Sequence, residues 1–191
     1  MRRAPRRRTT QIASAHHEAG HAVARVLLGI AGDVDFASIH PDDFGTDALG
    51  IVCGRPWIPP TCGHAVDHEA VRARVVVLLS GPAAESRYTS RDKTGCGGDV
   101  EQSFATLAAA YLDTAETVAH AALRESEPLD FGKRALASAL ADVVRRFEEC
   151  NAHAQALVEA NWPVIEAVAC QLARRKRLTG AEVRAIVERA R

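Results

Sequence analysis

Three residues near the start of the chain have the types and the spacing of a metal-dependent hydrolytic site. They form the pattern His-Glu-x-x-His, as His17, Glu18 and His21. One helical turn separates the two histidines, so on a helix both imidazoles project from the same face and can bind one zinc ion. Glu18 lies beside them, where its carboxylate can take a proton from an activated water. The pattern therefore predicts zinc-dependent hydrolysis, provided that the segment is helical.

The residues around this pattern favour a helix. Apolar side chains recur at the spacing of one buried helical stripe, at Ile12, Ala15, Ala19, Val23, Val26 and Ile30. Thr9 or Thr10 can serve as the N-cap, and Gly29 as the stop signal. Gly20 lies inside the helix, where glycine costs about 1 kcal/mol relative to alanine. We therefore expect another element to pack closely against Gly20. The alternative is an amphipathic helix whose histidines are only polar residues at its edge.

A catalytic zinc site needs a third protein ligand and leaves one position open for water. The candidates are two carboxylates, one thiol and five histidines: Glu85, Asp99, Cys96, His40, His64, His68, His120 and His153. Position 27 is Leu27, which excludes the metzincin pattern with its third histidine. Glu85 fits a glutamate ligand on a later helix, and Asp99 fits a carboxylate at the start of a helix. Spacing alone does not decide between these two.

The rest of the chain predicts a mainly α-helical α+β domain, with a zincin-like metal helix, a small β-sheet and a C-terminal helical bundle. Two short strands with a turn between them are predicted at 34–40 and 48–53. Helical periodicity predicts helices at 65–80, 82–88, 99–112, 114–125, 132–160, 163–175 and 180–190. We expect Gly81 to end the first of these helices and Pro82 to begin the second. Thr179 and Glu182 form a capping box at the start of the last.

Length and composition indicate one domain with an arginine-rich start. The 191 residues suffice for one core, which we divide into a catalytic part at 11–112 and C-terminal helices at 113–191. Five of the first eight residues are arginine, so we expect a disordered, solubilising arm over residues 1–10. No aromatic residues interleave these arginines to stack on bases. The total charge is also balanced, with 24 basic and 24 acidic residues, and both observations disfavour nucleic acid as a partner.

The sequence predicts a cytoplasmic chain that has no membrane partner. No run approaches the roughly 20 apolar residues that span a bilayer. The polar motif residues also interrupt any apolar core of a signal peptide. The cysteines are odd in number and form no C-x-x-C pair: Cys53, Cys62, Cys96, Cys150 and Cys170. This argues against a zinc ribbon and a disulfide framework, and it fits a reducing compartment.

Several dispersed segments resemble the peptidase domain of the FtsH-type ATP-dependent zinc metalloproteases. The first is the metal motif, His-Glu-Ala-Gly-His-Ala from His17. The others are Ser38 to Pro41 with Ala48 to Gly50, Leu78 to Glu85, Thr94 to Gln102 with Ala105 and Thr106, and the C-terminal Ala154 to Leu157, Leu172 and Leu178 to Val183. Together they extend over about residues 12–190 in the family's order. Agreement of this kind is more specific than the metal motif alone.

The resemblance implies a fold, a cofactor and a set of site residues. It implies an FtsH-type peptidase domain that binds Zn²⁺ through His17, His21 and Asp99, with Glu18 as the general base. It assigns Glu85 to a supporting position, where the carboxylate would orient a ligating histidine, and Glu85 remains the alternative ligand. Proteins or peptides are the implied substrates. A homo-oligomer and a separate ATPase are the further partners that the resemblance leaves open.

Departures from the family bear on ATP rather than on the metal site. FtsH-type proteases carry a membrane anchor and an AAA+ ATPase module before the peptidase domain, and these residues include neither. No phosphate-binding Gly-x-x-x-x-Gly-Lys-Ser/Thr loop occurs. We therefore expect a zinc metalloendopeptidase that hydrolyses flexible or unfolded proteins without its own ATPase. The alternatives are a non-catalytic or regulatory binding subunit that works with a separate ATPase or partner, and a nucleic-acid-associated protein with a structural zinc, which normally has four protein ligands.

The second predicted strand is the expected binding site for substrate. An extended peptide can pair with the edge of a sheet through its backbone, which gives affinity with weak sequence preference. The strand residues expected to contact it are Ala48, Leu49, Gly50, Ile51 and Val52. This mode requires a flexible or unfolded substrate, because a strand edge cannot pair with residues that are already buried in a fold.

Overall fold

The computed structural model describes residues 5–29, 34–43, 50–54, 66–90, 97–124 and 129–190. Within these ranges, side chains are described at 11–29, 34–43, 50–54, 66–90, 98–112 and 137–190. The architecture is mainly helical with one small sheet, as predicted. In chain order the elements are α1 (Pro5–Leu28), β1 (Val34–Ser38), a 3-10 turn (Pro41–Asp43), β2 (Ile51–Gly54), α2 (His68–Thr89), α3 (Gly97–Arg124), α4 (Leu129–Ala160), α5 (Trp162–Arg175), β3 (Arg177–Thr179) and α6 (Gly180–Ala190).

Helix α1, which carries the metal motif, starts earlier than the predicted threonine cap. It begins at Pro5, and proline is favoured in the first turn of a helix. Residues 5–10 of the predicted arm are therefore helical, which the good helix propensity of arginine allows. Residues 1–4 lie outside the described part. The predicted end is confirmed: the helix stops at Leu28, and Gly29 has a φ of 58°, in the left-handed region that favours glycine.

Helix α2 corrects the prediction that one helix ends at Gly81 and another begins at Pro82. A single helix runs through both residues. It starts after Asp67, whose carboxylate accepts hydrogen bonds from the backbone N–H groups of Glu69 and Ala70, at 3.0 Å each. The helix continues because the residues on both sides of the glycine-proline pair are buried, with α2 packed on α1. Tertiary packing here overrides the local propensity of glycine and proline.

Helix α3 likewise replaces two predicted helices, at 99–112 and 114–125, by one. The residues between them include neither glycine nor proline, so nothing local ends the helix. The predicted division between 11–112 and 113–191 therefore falls inside one helix. Helices α4, α5 and α6 begin and end within three residues of their predicted bounds. Among the residues that the structure describes, no helix combines the length and the apolar character needed to cross a membrane.

The sheet has three antiparallel strands in the order β2-β1-β3. In the central strand β1, Ala37 lies opposite Val52 of β2 on one side and opposite Leu178 of β3 on the other. Strands β1 and β2 are shorter than the segments that predicted them. Strand β3 was not predicted, because three residues between two helices are too few for periodicity to detect. Within the described ranges, β2 pairs on one side only and is therefore an edge strand.

Buried apolar residues form two cores, and α1 contributes to both. The first core lies between α1, the sheet, α5 and α6, and its largest members include Val23, Val34, Ile165, Leu172, Leu178 and Val183. The second lies between α2, α3 and α4, and its members include Ala24, Val71, Val75, Val76, Leu79 and Leu107. Because α1 is packed on two sides, the residues of the metal motif are held by both cores.

The predicted capping box at the start of α6 is confirmed. The Glu182 carboxylate accepts hydrogen bonds from the backbone N–H of Thr179 at 2.8 Å and from its hydroxyl at 2.9 Å. The Thr179 hydroxyl oxygen in turn accepts from the N–H of Glu182 at 3.3 Å. Hydrogen bonds from Thr179 and the neighbouring Arg175 lower the pKa of Glu182 from 4.5 to about 2.

A lowered carboxyl pKa gives this cap a defined pH dependence. Its ionised contribution to stability is present above pH 4.5 and is lost as the pH falls toward about 2. We therefore expect Glu182→Gln to lower Tm slightly at pH 7, and the two Tm values to converge between about pH 4.5 and 2. Thermal unfolding across this range measures the effect. A Tm difference that is constant with pH would contradict the assignment of the shift to this carboxylate.

Candidate metal centre

Helices α1 and α3 bring three potential metal ligands together. His17 and His21 lie one turn apart on α1, with their Nε2 atoms 3.1 Å from each other. Asp99 reaches them from the first turn of α3, with Oδ2 3.0 Å from Nε2 of His17 and 3.5 Å from Nε2 of His21. In the described part of the chain, these residues are the one group of histidines, cysteines and carboxylates placed to hold a metal ion.

The spacing and the chemistry of this group fit zinc. Atoms that bind a tetrahedral zinc at about 2.0–2.1 Å lie about 3.3–3.4 Å from one another. The three separations of 3.0, 3.1 and 3.5 Å bracket that value. Two imidazole nitrogens and one carboxylate oxygen also make up a common catalytic donor set, which leaves the fourth position open. The residues present therefore fit Zn²⁺ on both distance and donor type.

The outer ring nitrogens determine which atoms face the metal position. Nδ1 of His21 lies 2.8 Å from the backbone carbonyl oxygen of Val77. A carbonyl oxygen can only accept, so Nδ1 carries the proton and Nε2 of the neutral ring carries a lone pair. Nδ1 of His17 lies 3.2 Å from Oε2 of Glu85, and the same argument gives its Nε2 a lone pair. Both rings thus direct an acceptor nitrogen toward the Asp99 carboxylate.

Three acceptors that converge without an N–H between them repel one another. Neutral histidines therefore cannot form hydrogen bonds across the 3.0 and 3.1 Å separations, and a cation at the centre removes the repulsion. Burial raises the pKa of Asp99, but a hydrogen bond from His17 or His21, which requires that ring to hold a second proton, outweighs burial and holds the pKa well below its ordinary value. Asp99 is accordingly ionised at neutral pH, which is the form of a carboxylate that binds a metal.

Glu18 is buried beside this group, with 6% of its surface exposed. Burial raises the pKa of its carboxyl group, while His21 and His17 oppose the shift. Gly50, just before β2, lies against it: a Cβ at position 50 would be 2.5 Å from Cγ and 2.7 Å from Cδ of Glu18. The side chain thus lies between the metal ligands and the edge strand. A carboxyl group with a raised pKa can both accept and return a proton near neutral pH.

Helices α1 and α2 approach closely at two glycines. A Cβ on Gly20 would lie 2.8 Å from Cβ of Ala84, which confirms the prediction that an element packs closely there. A Cβ on Gly81 would lie 2.5 Å from Cε1 and 2.7 Å from Cδ2 of His21. Sequence reasoning missed this second contact, because it interpreted Gly81 as a helix stop. The available signal was a run of small residues in an otherwise apolar helix, the pattern of a close helix contact.

We expect Gly81→Ala to weaken zinc binding, because the added methyl group would displace the His21 ring. A ligand that loses its orientation typically costs about 10–100-fold in metal affinity. Competition with a chelating dye measures the change. Gly98→Ala is a stringent control, since residue 98 adjoins Asp99 but a Cβ there would have no neighbour within 4 Å. Equal zinc affinities for the two variants would mean that the contact with Gly81 does not position His21.

The other described candidates for the third ligand lie apart from this group. His40 is exposed, and its Nδ1 accepts a hydrogen bond from the N–H of Asp42 at 3.3 Å. The ring of His68 stacks on Tyr111, with 4.7 Å between the ring centroids. His153 is exposed on α4. The remaining candidates, His64, Cys96 and the side chain of His120, lie outside the described part of the chain.

The expected substrate strand is described in part. Gly50, Ile51 and Val52 are half-buried, and Gly50 contacts Glu18. Ala48 and Leu49 lie outside the described residues. The described portion of the strand therefore begins beside the candidate base and continues along the edge of the sheet.

Comparison with known proteins identifies the family. A family model described as Peptidase family M41 matches residues 5–186. The chain belongs to peptidase family M41. Among curated proteins, this M41 chain is similar to ATP-dependent zinc metalloprotease FtsH 4 of Sorangium cellulosum, with 32% identity over 91% of the chain. It is also similar to FtsH 2 of the same organism, at 29% identity, and to FtsH of Paraburkholderia phymatum, at 28%, each over 91% of the chain.

Membership of M41 confirms the resemblance to FtsH-type peptidase domains and the fold class. It places the chain among the metalloproteases, and the zinc in the relatives' names makes Zn²⁺ the implied cofactor. The chain spans 28–31% of the length of these three relatives.

Proposed function

We propose that this chain is a zinc endopeptidase that cleaves flexible or unfolded polypeptides. His17, His21 and Asp99 hold the zinc, Glu18 is the general base, and Glu85 orients the His17 ring. One observation carries the proposal: two imidazole lone pairs and an ionised carboxylate converge next to a buried glutamate. Membership of a metalloprotease family supports it.

The chain's own residues perform the proton transfers. Bound zinc would supply Lewis acidity, which lowers the pKa of a water and polarises a peptide carbonyl. Glu18 takes the proton as that water attacks, and then returns it to the leaving amine nitrogen. Its raised pKa suits both steps, because a carboxyl group of ordinary pKa returns a proton less readily. Val77 and Glu85 accept from the two Nδ1 atoms and thereby keep both imidazoles in one tautomer.

The edge strand β2 is the proposed binding surface for the substrate backbone. Gly50 lies against Glu18, so a peptide paired with β2 passes the candidate base where the strand begins. Backbone pairing is largely independent of side chains and accepts many sequences. It also requires an extended substrate, since a folded protein has no free backbone to offer.

The proposed hydrolysis uses no nucleotide. The relatives are named as ATP-dependent, and the matched region is less than a third of their length. Substrates would arrive already flexible, or a separate ATPase would supply them in unfolded form. The chain of 191 residues should therefore act unaided on substrates that are already unfolded.

Cleavage of an unfolded model protein tests the proposal. The zinc-loaded chain should cleave a reduced and alkylated protein without ATP, and should leave the native, disulfide-bonded form of that protein intact. Glu18→Gln should lower the rate by about 10²–10⁴-fold, the usual contribution of a general base, and should still bind one zinc. Equal rates for the variant and the wild type would remove Glu18 as the base. A zinc-loaded wild type that cleaves neither form would favour the binding-subunit alternative.

A further inference from the structure

Arg25 of α1 and Arg74 of α2 lie about one helical turn beyond the residues through which these helices form the metal centre. His17 contacts Glu85 and His21 contacts Val77, so residue numbers rise along α1 as they fall along α2. The helices are therefore antiparallel here. Arg25 lies four residues after His21, and Arg74 lies three residues before Val77. One further turn on each helix thus brings the two guanidinium groups to the same end of the site.

Neither arginine has a hydrogen-bond or ion-pair partner within the described ranges. Both side chains are half-buried, and Nη1 of Arg25 is fully buried without a hydrogen bond. Burial lowers the pKa of Arg74, and the nearby positive charge of Arg25 lowers it further. The negative charge of Asp35 raises the pKa of Arg25 and that of Asp99 raises the pKa of Arg74, but neither effect outweighs burial. Two neighbouring like charges that have no ion-pair partner among the described residues are destabilising, and a bound anion would relieve the repulsion.

The pair lies beside the path of a peptide bound to β2. Gly50 contacts Glu18, and Cys53 is an electrostatic neighbour of Arg25. Three residues of strand extend about 10 Å, and the seven residues of α1 from Glu18 to Arg25 rise about 10 Å. Strand β2 therefore runs alongside α1 in the same direction. A peptide paired with β2 would pass Glu18 at one point and the arginines two to four residues farther on.

We propose that Arg25 and Arg74 form a subsite that binds a substrate carboxylate two to four residues from the bond that is cleaved. This inference rests on the proposed binding of substrate along β2. Guanidinium groups match carboxylates through paired N–H donors, and the half-buried position strengthens the interaction relative to one in water. An acidic side chain and the C-terminal carboxylate of the substrate are the two sources of this group.

Binding to the zinc-loaded Glu18→Gln variant tests the subsite without requiring hydrolysis. The probes are blocked, fluorescent peptides of neutral sequence in which one glutamate is moved residue by residue, each matched by a peptide with glutamine. At one position the glutamate peptide should bind about tenfold more tightly, the effect of one partly exposed charged hydrogen bond. Arg25→Gln and Arg74→Gln, each combined with Glu18→Gln, should bring the ratio of the affinities for the glutamate and glutamine peptides close to one. Arg25→Lys should retain part of the preference for glutamate.

Arg72→Gln is the matched control, because Arg72 is exposed on another face of α2. It removes the same charge and should leave the ratio unchanged. Arg74→Gln should also keep or raise Tm, since it relieves like-charge repulsion, whereas a structural arginine would lower Tm on removal. The proposal would be overturned if Arg72→Gln and Arg74→Gln gave the same ratio. It would also be overturned if binding showed no preference at any position, either for glutamate in the blocked peptides or for a free C-terminal carboxylate.

Peptides with a free C-terminal carboxylate separate the two sources. A preference for the free acid at the same distance would assign the subsite to chain ends, and a preference for internal glutamate would assign it to side chains.

Cleavage of the same peptides by the wild type is measured in parallel. If the wild type cleaves no peptide but the preference for glutamate still depends on the arginines, the proposed hydrolysis is wrong and the proposed subsite is supported. If the wild type cleaves glutamate and glutamine peptides at equal rates and binds all the peptides equally, the proposed subsite is wrong and the proposed hydrolysis is supported.

Discussion

Replacing Asp99 with alanine should leave a folded chain that does not retain zinc through dialysis. Its Oδ2 is one of three atoms that converge on the metal position, and it is the only anionic atom of the three within the described group. Glu85→Ala should retain zinc with an affinity weakened by about 10–100-fold, because that carboxylate acts through a ring. Glu85 contacts Nδ1 of His17, whereas Asp99 contacts Nε2. The His17 imidazole thus separates Glu85 from the metal position.

Zinc content per chain and competition with a chelating dye measure both variants. Glu101→Ala is the matched control, since it removes an exposed carboxylate from the same helix, two residues after Asp99. Far-UV circular dichroism establishes that each variant is helical. If Glu85→Ala loses zinc while Asp99→Ala retains it, Glu85 is the ligand and the roles given to the two carboxylates are reversed.

Gly180→Ala should lower the free energy of unfolding more than any other substitution proposed for this chain. A Cβ at position 180 would overlap the backbone carbonyl of Val34 and lie 2.6 Å from its carbonyl carbon. The obstacle is the main chain of the central strand, which cannot move aside as a flexible side chain can. We expect a loss of about 2–4 kcal/mol, which corresponds to a Tm lower by roughly 10 °C. Helix propensity offsets only part of this loss, because alanine is favoured over glycine by about 1 kcal/mol.

Gly98→Ala supplies the control, because Gly98 also lies in the first turn of a helix but is exposed. A Cβ there would have no neighbour within 4 Å, so stability should be unchanged or should rise by about 0.4–1 kcal/mol. Thermal unfolding with a chelator present compares the variants without a contribution from metal. If both glycines tolerate alanine equally, α6 does not pack on β1 as closely as the structure places it.

The sequence correctly predicted the structural features that depend only on residues close together in the chain. The helix around His17 and His21, the end of α1 at Gly29 and the capping box of α6 all follow from residues within a turn or two of each other. The prediction failed at Gly81 and Pro82, because contacts with α1 keep α2 continuous. It also missed β3, whose three residues form a strand only because β1 lies beside them.

The residues of the candidate site likewise divide into those that one local motif reveals and those that come from distant parts of the sequence. Glu18 and the two histidines come from one motif, whereas Asp99 lies 82 positions after His17. Spacing alone left Asp99 and Glu85 as alternatives, and only the resemblance to a family favoured Asp99. The carbonyl of Val77 was not predicted at all, since every residue has one and no side-chain pattern marks it. The arginine pair was not predicted either, because it depends on the antiparallel packing of two helices.

The position of α1 between two cores determines how this protein can adapt to a substrate. Val23 belongs to one core and Ala24 to the other, so a fluctuation that tilted the helix would disrupt packing on both sides at once. Local opening of such an element costs nearly as much free energy as global unfolding. Helix α1, which carries the metal motif, is therefore rigid, and the conformational entropy lost when a peptide binds is lost mainly by the peptide. Peptides constrained in advance to an extended shape should accordingly bind better than flexible ones of the same sequence.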